Sequence, residues 1–285
     1  MIPEIRLEAD GLDPLDLNPT DGWVISAFDP GAPIIRENTY DQPSGDGSTD
    51  FTNWFGARNI TLSVALSAAS TEEVWVMRNQ LRAFTSPRLR PILYFTWPGQ
   101  VEQRFVIRGS NISDTIDNMD VAELTVQWVV PSGIAEAAVQ KTRTFLVTGA
   151  GSDTGLVLPL VFPLIWNEAP VAGAATVDNI GTAPVWPLIR MYGPCDGPSL
   201  ENETAGAVLT FDPSMTINAG DFLEVNAATR TVRYNGNEND SRYGDLDFVV
   251  SEWWPLLPGV NELRYEPSSH TDPAQAQVVW RHGWI

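Results

Sequence analysis

Helical periodicity is confined to one stretch of this chain, and that restricts what it can fold into. Ser70-Thr71-Glu72-Glu73 reads as a capping box, with Ser70 as N-cap and Glu73 at the third helical position. Val74, Met77, Leu81 and Phe84 follow at spacings of three and four, forming one apolar stripe, and Ser86-Pro87 ends the helix. Elsewhere the pattern has period two. Ile60, Leu62, Val64 and Leu66 alternate with Thr61, Ser63, Ala65 and Ser67, and Ala122, Leu124, Val126, Trp128 and Val130 alternate in the same way. Ile5 and Leu7 mark a first strand and Trp23–Phe28 a second. Pro91–Trp97 and Val101–Arg108 flank Pro98-Gly99 and read as a β-hairpin, while Asp41–Asp50 reads as a polar exposed loop.

From Thr142 onward only short strands separated by Gly, Pro and Asn turns are expected, a second β-sandwich. The 22 glycines and 22 prolines suit such a turn-rich chain. The expected class is mainly β with two sandwich-type domains, residues 1–133 and 142–285, joined by a linker at 134–141; 285 residues suit two domains. Within the second, Asn179–Pro194 is the most constrained segment. Asn179 and Gly181 tolerate positive φ and suit a tight turn. Pro184 and Pro187 remove two backbone donors, which argues against the start of a central strand. Leu188–Tyr192 then runs as a short strand stopped by Gly193-Pro194.

The net charge of −19 argues against general binding to nucleic acid or anionic membranes. The longest apolar run, Leu156–Trp166, is short and broken by Pro159 and Pro163, so no membrane insertion is expected, and Met1–Arg6 does not read as a secretory signal. A single cysteine, Cys195, excludes an internal disulfide or a cysteine zinc cluster and suits folding in a reducing cytoplasm. The charge is uneven. Of nine arginines in residues 1–133, six are Arg78, Arg82, Arg88, Arg90, Arg104 and Arg108, opposed between those limits only by Glu102. Asp41, Asp46 and Asp50 precede this segment; Asp114, Asp117, Asp120 and Glu123 follow it.

No constellation points to catalysis, a cofactor or a metal. Phe145–Gly155 imitates a dinucleotide fingerprint, but Asp153 stands where a glycine is needed, and the proline-broken run after it cannot be the phosphate-binding helix. His270 and His282 lack partners for a zinc motif, and Asp10, Asp13 and Asp16 lack the calcium-loop pattern. No Gly-x-Ser-x-Gly elbow occurs. Cys195 stands beside Asp196, which raises rather than lowers a thiol pKa. Trp253 and Trp254 could stack on a sugar, though adjacent residues of a strand face opposite sides, so at most one could do so.

The C-terminal half also carries a family resemblance. Asn179-x-Gly181-Thr182-x-Pro184-x-x-Pro187-x-Ile189, then Gly193-Pro194, resembles the C-terminal domain of distal tail proteins of bacteriophages with long non-contractile tails. Asn202–Phe211, Ala219–Val225, Arg230-Thr231-Val232 with Asn235-Gly236, and Ser251–Tyr265 follow in the order and spacing of that family. The resemblance implies an N-terminal belt domain with one helix and a hairpin arm, and a C-terminal sandwich of galectin or carbohydrate-binding-module type. It further implies a non-enzymatic virion protein forming a hexameric ring at the distal end of the tail. Its partners would be the tail tube protein and tail-tip hub or receptor-binding proteins, with the tape measure protein as a further candidate. In such a head-to-tail ring the basic segment Arg78–Arg108 would meet acidic residues of a neighbour, among them Asp114, Asp117 and Asp120. The alternative is that these arginines pair within their own subunit. Rival functions are a carbohydrate-binding adhesin module and a carboxylate-dependent glycoside hydrolase.

Overall fold

The structure is a computed structural model that describes residues 2–41, 46–50, 53–118, 121–147, 174–271 and 273–285. The glycine-rich stretch after Val147 and the apolar run Leu156–Trp166 lie outside the described residues. The fold is mainly β, and the chain divides into two compact units: Met1–Val139 with Trp284–Ile285, and Gln140–Gly283.

The first unit is built on two antiparallel sheets. One orders its strands Leu15–Asp16, Glu4–Glu8, Ile92–Thr96, Gln103–Val106, Ala135–Ala137 and Gly283–Trp284. The other orders Arg108–Asn118, Val121–Val130, Arg58–Ser67 and Trp23–Asp29. The period-two stretches lie here with the expected alternation: Ile60, Leu62, Val64 and Leu66 are fully buried, as are Leu124, Val126, Trp128 and Val130. The two sheets share one core with Ile5, Leu7, Leu93, Phe95 and Phe105. Residues 134–141 bring Ala135–Ala137 into the first sheet, paired with Gln103 and Arg104, before the chain passes to the second unit.

Helix α1, Thr71–Ala83, starts where the capping box predicts. Ser70 Oγ accepts from the Glu73 N–H at 3.3 Å, and the Glu73 carboxylate reaches back to the N–H of Ala69, one residue before the usual capping-box donor. Val74 and Leu81 are buried, Phe84 caps the C-terminal end, and Met77 is half-buried. The Trp128 Nε1–H donates to the Phe84 carbonyl, fixing that end to the sheet. Gly109 permits a close approach there: a Cβ at this position would collide with the Thr85 backbone.

Residues 39–50 depart from the polar-loop expectation. Thr39–Asp41 pairs with Ser48–Asp50, and Ile35–Arg36 with Trp54–Phe55, giving a two-stranded arm whose tip at 42–45 lies outside the described residues. The expected hairpin around Pro98-Gly99 is present, with Ile92–Thr96 paired to Gln103–Val106.

The second unit holds a five-stranded antiparallel sheet ordered Lys141–Leu146, Gln275–Trp280, Leu188–Tyr192, Phe222–Asn226 and Thr231–Tyr234. A four-stranded sheet orders Ala174–Asn179, Gly259–Tyr265, Ser199–Asn202 and Ala207–Thr210. Leu188–Tyr192 is therefore a central strand, although Pro184 and Pro187 argued against the start of one. Pairing begins at Leu188, so the missing N–H of Pro187 falls outside the ladder while its carbonyl accepts from Ala227. Gly181 also differs from expectation. Its φ is not positive; it is needed because a Cβ there would collide with the Gly283 carbonyl.

Candidate functional site

Among the described residues no group of three His, Cys, Asp or Glu side chains could hold a metal ion. Cys195 is buried, with Sγ 3.2 Å from the Tyr265 hydroxyl. Burial pushes its thiol pKa up and Asp196 adds to the rise, which disfavours the thiolate. Asp196 itself accepts from Ser269 and Thr216 hydroxyls at 2.6 Å each, which hold its carboxyl below the usual range. It is a strand-joining carboxylate.

Polar side chains elsewhere in the second unit organise the chain rather than a ligand. Asn179 is fully buried. Its Nδ2 donates to the Ala183 carbonyl, and its Oδ1 accepts from the N–H groups of Gly181 and Gly283. Next to it the Ile180 N–H donates to His282 Nδ1 at 3.2 Å, and the Trp280 indole N–H donates to the Asp178 carbonyl. Asn202 and Asn261 are likewise buried and bonded to backbone. The asparagines of the motif thus serve as side-chain substitutes for backbone partners where strands end.

The chemistry-bearing features are surfaces. The first follows α1. Trp75 and Val76 are exposed, and the Arg78 guanidinium lies 4.7 Å over the Trp75 ring. Arg82, Arg88 and Arg90 are exposed beyond it, and Arg90 donates to the nearby Pro87 and Leu89 carbonyls. Residues 74–98 contain these four arginines and no carboxylate. Arg104 is different: it pairs with Glu136 of its own chain at 2.8 Å, on the neighbouring strand. Arg108 is exposed at the start of its strand. Asp114 and Asp117 belong to the strand Arg108–Asn118, with side chains outside the described set; Asp120 lies outside the described residues altogether.

The second surface is the arm. Ile34, Ile35, Tyr40, Trp54 and Phe55 are between 42% and 61% exposed. The sequence signal for it was present in the consecutive apolar pairs Ile34-Ile35 and Trp54-Phe55, since neighbours on a strand face opposite sides and cannot share one core.

The third surface is the loop before Trp253 in the second unit. Phe248, Val249 and Val250 are exposed, Val249 at 95%. Tyr243 stacks on Trp253 with centroids 6.4 Å apart and planes 11° apart. Trp254 faces the core at 1% exposure, which removes it from any sugar-stacking role.

Residues 180–284 match the family described as the siphovirus-type tail component, C-terminal domain. That span starts one residue after Asn179 and takes in the rest of the motifs that carry the resemblance to distal tail proteins. Among solved structures, the Dit protein of phage SPP1, described as a paradigm of the hub adsorption apparatus in phages infecting Gram-positive bacteria, superimposes with a TM-score of 0.65 at 13% identity, over 99% of both chains. Chains from the phage P2 baseplate in its activated conformation align more loosely, with TM-scores of 0.48 and 0.49 at 11% and 10% identity over 98% of each chain. No curated protein matches the sequence. Residues 180–284 are thus similar to the siphovirus-type tail component C-terminal domain. The chain as a whole shares the fold of the SPP1 Dit protein.

Proposed function

We propose that this protein is a non-enzymatic structural subunit that forms a ring, with six copies as the expected number, at the distal end of a long non-contractile phage tail. There it acts as a hub: one side seats the tail tube protein, and the other holds tail-tip or receptor-binding proteins. The observation that carries this reading is the coincidence of a tail-component match over residues 180–284 with a hub-protein fold over nearly the whole chain. The exposed apolar and charged surfaces agree with a subunit made to be covered in an assembly. The negative net charge keeps unassembled copies apart and soluble. Register in the ring is assigned to the basic segment, with Arg82, Arg88, Arg90 and Arg108 directed at carboxylates of the next subunit, because complementary charge sets partner orientation and on-rate.

The test is the solution mass of the full-length protein by light scattering, across protein concentration and salt. A closed ring, or a monomer that converts to one on concentration, is expected. A strict monomer under every condition would contradict self-assembly.

A further inference from the structure

Asn235-Gly236 is the one place in this chain where an asparagine precedes a glycine. Such a pair is chemically labile. The nitrogen of the following residue can attack the asparagine Cγ, and glycine leaves that approach open because it has no Cβ. The attacking N–H gives up its proton, ammonia leaves, and a five-membered succinimide closes. Water then opens the ring to aspartate or to isoaspartate. The reaction requires the side-chain amide to turn its carbon toward the Gly236 nitrogen.

The fold ties that amide elsewhere. Asn235 and Gly236 are the central residues of a turn, with φ of 51° and 68°, and the Asn237 N–H bonds to the Tyr234 carbonyl at 3.0 Å. This is the type I′ pattern that Asn-Gly favours. The turn follows Thr231–Tyr234, an edge strand of the five-stranded sheet. Asn235 is exposed, yet both ends of its amide are bonded. Oδ1 accepts from the Phe222 N–H at 2.9 Å, and Nδ2 donates to Asp221 Oδ1 at 2.8 Å. Asp221 is fixed in turn, because its Oδ2 accepts from the Tyr234 hydroxyl at 3.0 Å. Presenting Cγ to Gly236 means breaking both amide bonds, and the one to a carboxylate is of the stronger kind. Charge acts in the same sense. The attacking nitrogen becomes anionic as its proton leaves, with Asp221 bonded to the neighbouring residue and the Glu224 carboxylate 3.8 Å from where a Gly236 Cβ would stand. Negative neighbours disfavour that anion.

We propose that Asn235-Gly236 is a deamidation site that the fold holds shut, with Asp221 and the Phe222 N–H as its latch. Conversion then proceeds from opened forms of the turn, and once it has happened the latch cannot close again. An aspartate at this position has no donor for Asp221 and sets two carboxylates where a hydrogen bond stood. An isoaspartate carries the main chain through the extra methylene, which a two-residue turn does not accommodate. Either product loosens the end of the edge strand from Asp221 and Phe222. The latch lies within one copy of the chain and operates whether or not copies assemble.

The test is the rate of amide-to-acid conversion at Asn235 in the full-length protein, read by peptide mass spectrometry after incubation at mildly alkaline pH. The folded wild type is expected to convert at least about tenfold more slowly than the chain unfolded in guanidinium, the factor that loss of one charged hydrogen bond supplies. Asp221→Ala leaves the Asn-Gly pair untouched. It should speed conversion of the folded protein about tenfold at Asn235 and not at Asn237, an exposed asparagine of the same turn, with circular dichroism confirming the fold. Asn235→Asp, the genetic copy of one product, should lower the unfolding midpoint by about 2–4 °C. Adding Asp221→Asn, which again sets a donor against an acceptor, should return it. Equal rates in the folded and unfolded wild type would overturn the proposal, as would a folded Asp221→Ala protein that converts at the wild-type rate. Should Asp221→Ala not fold, the midpoints decide: an Asn235→Asp protein as stable as the wild type, or one that Asp221→Asn does not rescue, removes the latch.

Discussion

His282 is held in the fold as a hydrogen-bond acceptor, which ties it to its neutral form. Its Nδ1 accepts from the Ile180 N–H, and a protonated ring would turn a second donor toward that donor. Burial is the first cause that lowers its pKa and the nearby Lys141 the second, with Asp178 opposing both. In the unfolded chain the same imidazole takes up a proton near its ordinary value of about 6.5. The native state therefore binds fewer protons over that range, and its stability falls as pH drops below the unfolded pKa, levelling only under the depressed native one. Thermal unfolding at pH 7.5 and pH 5.5 should show a loss on acidification that shrinks in His282→Gln, whose amide oxygen can accept from Ile180 without titrating. The expected difference is roughly 1 kcal/mol, the scale of one hydrogen bond. An equal acid-induced loss in both proteins would remove His282 from the account. Arg58 is another residue whose state is set by burial. It is 3% exposed, its Nε donates to the Gly133 carbonyl, and its guanidinium lies 5.3 Å from the Phe105 ring centre. Among the described residues Nη2 has no hydrogen-bond partner, and burial lowers the pKa.

At the scale of elements, α1 depends on its first turn. Ser70 Oγ and the Glu73 carboxylate each satisfy a backbone N–H that the helix leaves open. Ser70→Ala should cost about 1 kcal/mol and lower the unfolding temperature by several degrees, as read by calorimetry. An unchanged midpoint would mean that packing of Val74, Leu81 and Phe84 alone fixes the helix. This element was fully legible in the sequence because its signals are local: a cap, a stripe and a stop lie within eighteen residues. The strands with strict alternation were legible for the same reason. The arm was legible only as the apolar pairs Ile34-Ile35 and Trp54-Phe55; its strand pairing was not, because its residues face no core, burial imposes no period on them, and Thr39–Asp41 finds its partner strand across a tip without alternation. The central place of Leu188–Tyr192 was hidden too, since its partners Phe222–Asn226 and Gln275–Trp280 lie tens of residues away. Of the surface residues, the excess of arginine was visible as composition, but the removal of Arg104 from it was not. Arg104 and Glu136 are 32 residues apart and meet only because their strands pair. Trp254 and Trp253 show the limit from the other side: alternation said that they part, and only the packing says which one goes inward.

For the whole molecule the final residues are the point of interest, because the chain changes units between Gly283 and Trp284. The grip on one side is polar. Gly283 donates to Asn179 Oδ1, and its carbonyl accepts from the Ala183 N–H at 2.9 Å. On the other side it is apolar, since Trp284 packs against the core of the first unit. A substitution at Trp284 thus acts on the unit that holds the side chain, 145 residues after that unit's main segment ends at Val139. Trp284→Ala should destabilise the first unit by about 2 kcal/mol, less than for a fully buried tryptophan because the ring is half-buried. Calorimetry can assign the effect, with Ser70→Ala as a marker of the first unit's transition. If the two units melt separately, Trp284→Ala should lower the transition that Ser70→Ala lowers and leave the other in place. A shift of the other transition alone would mean that the tryptophan's stabilising contacts belong to the second unit. A single transition moved by both substitutions would mean that the units unfold as one cooperative body, with the stability of each felt by the other.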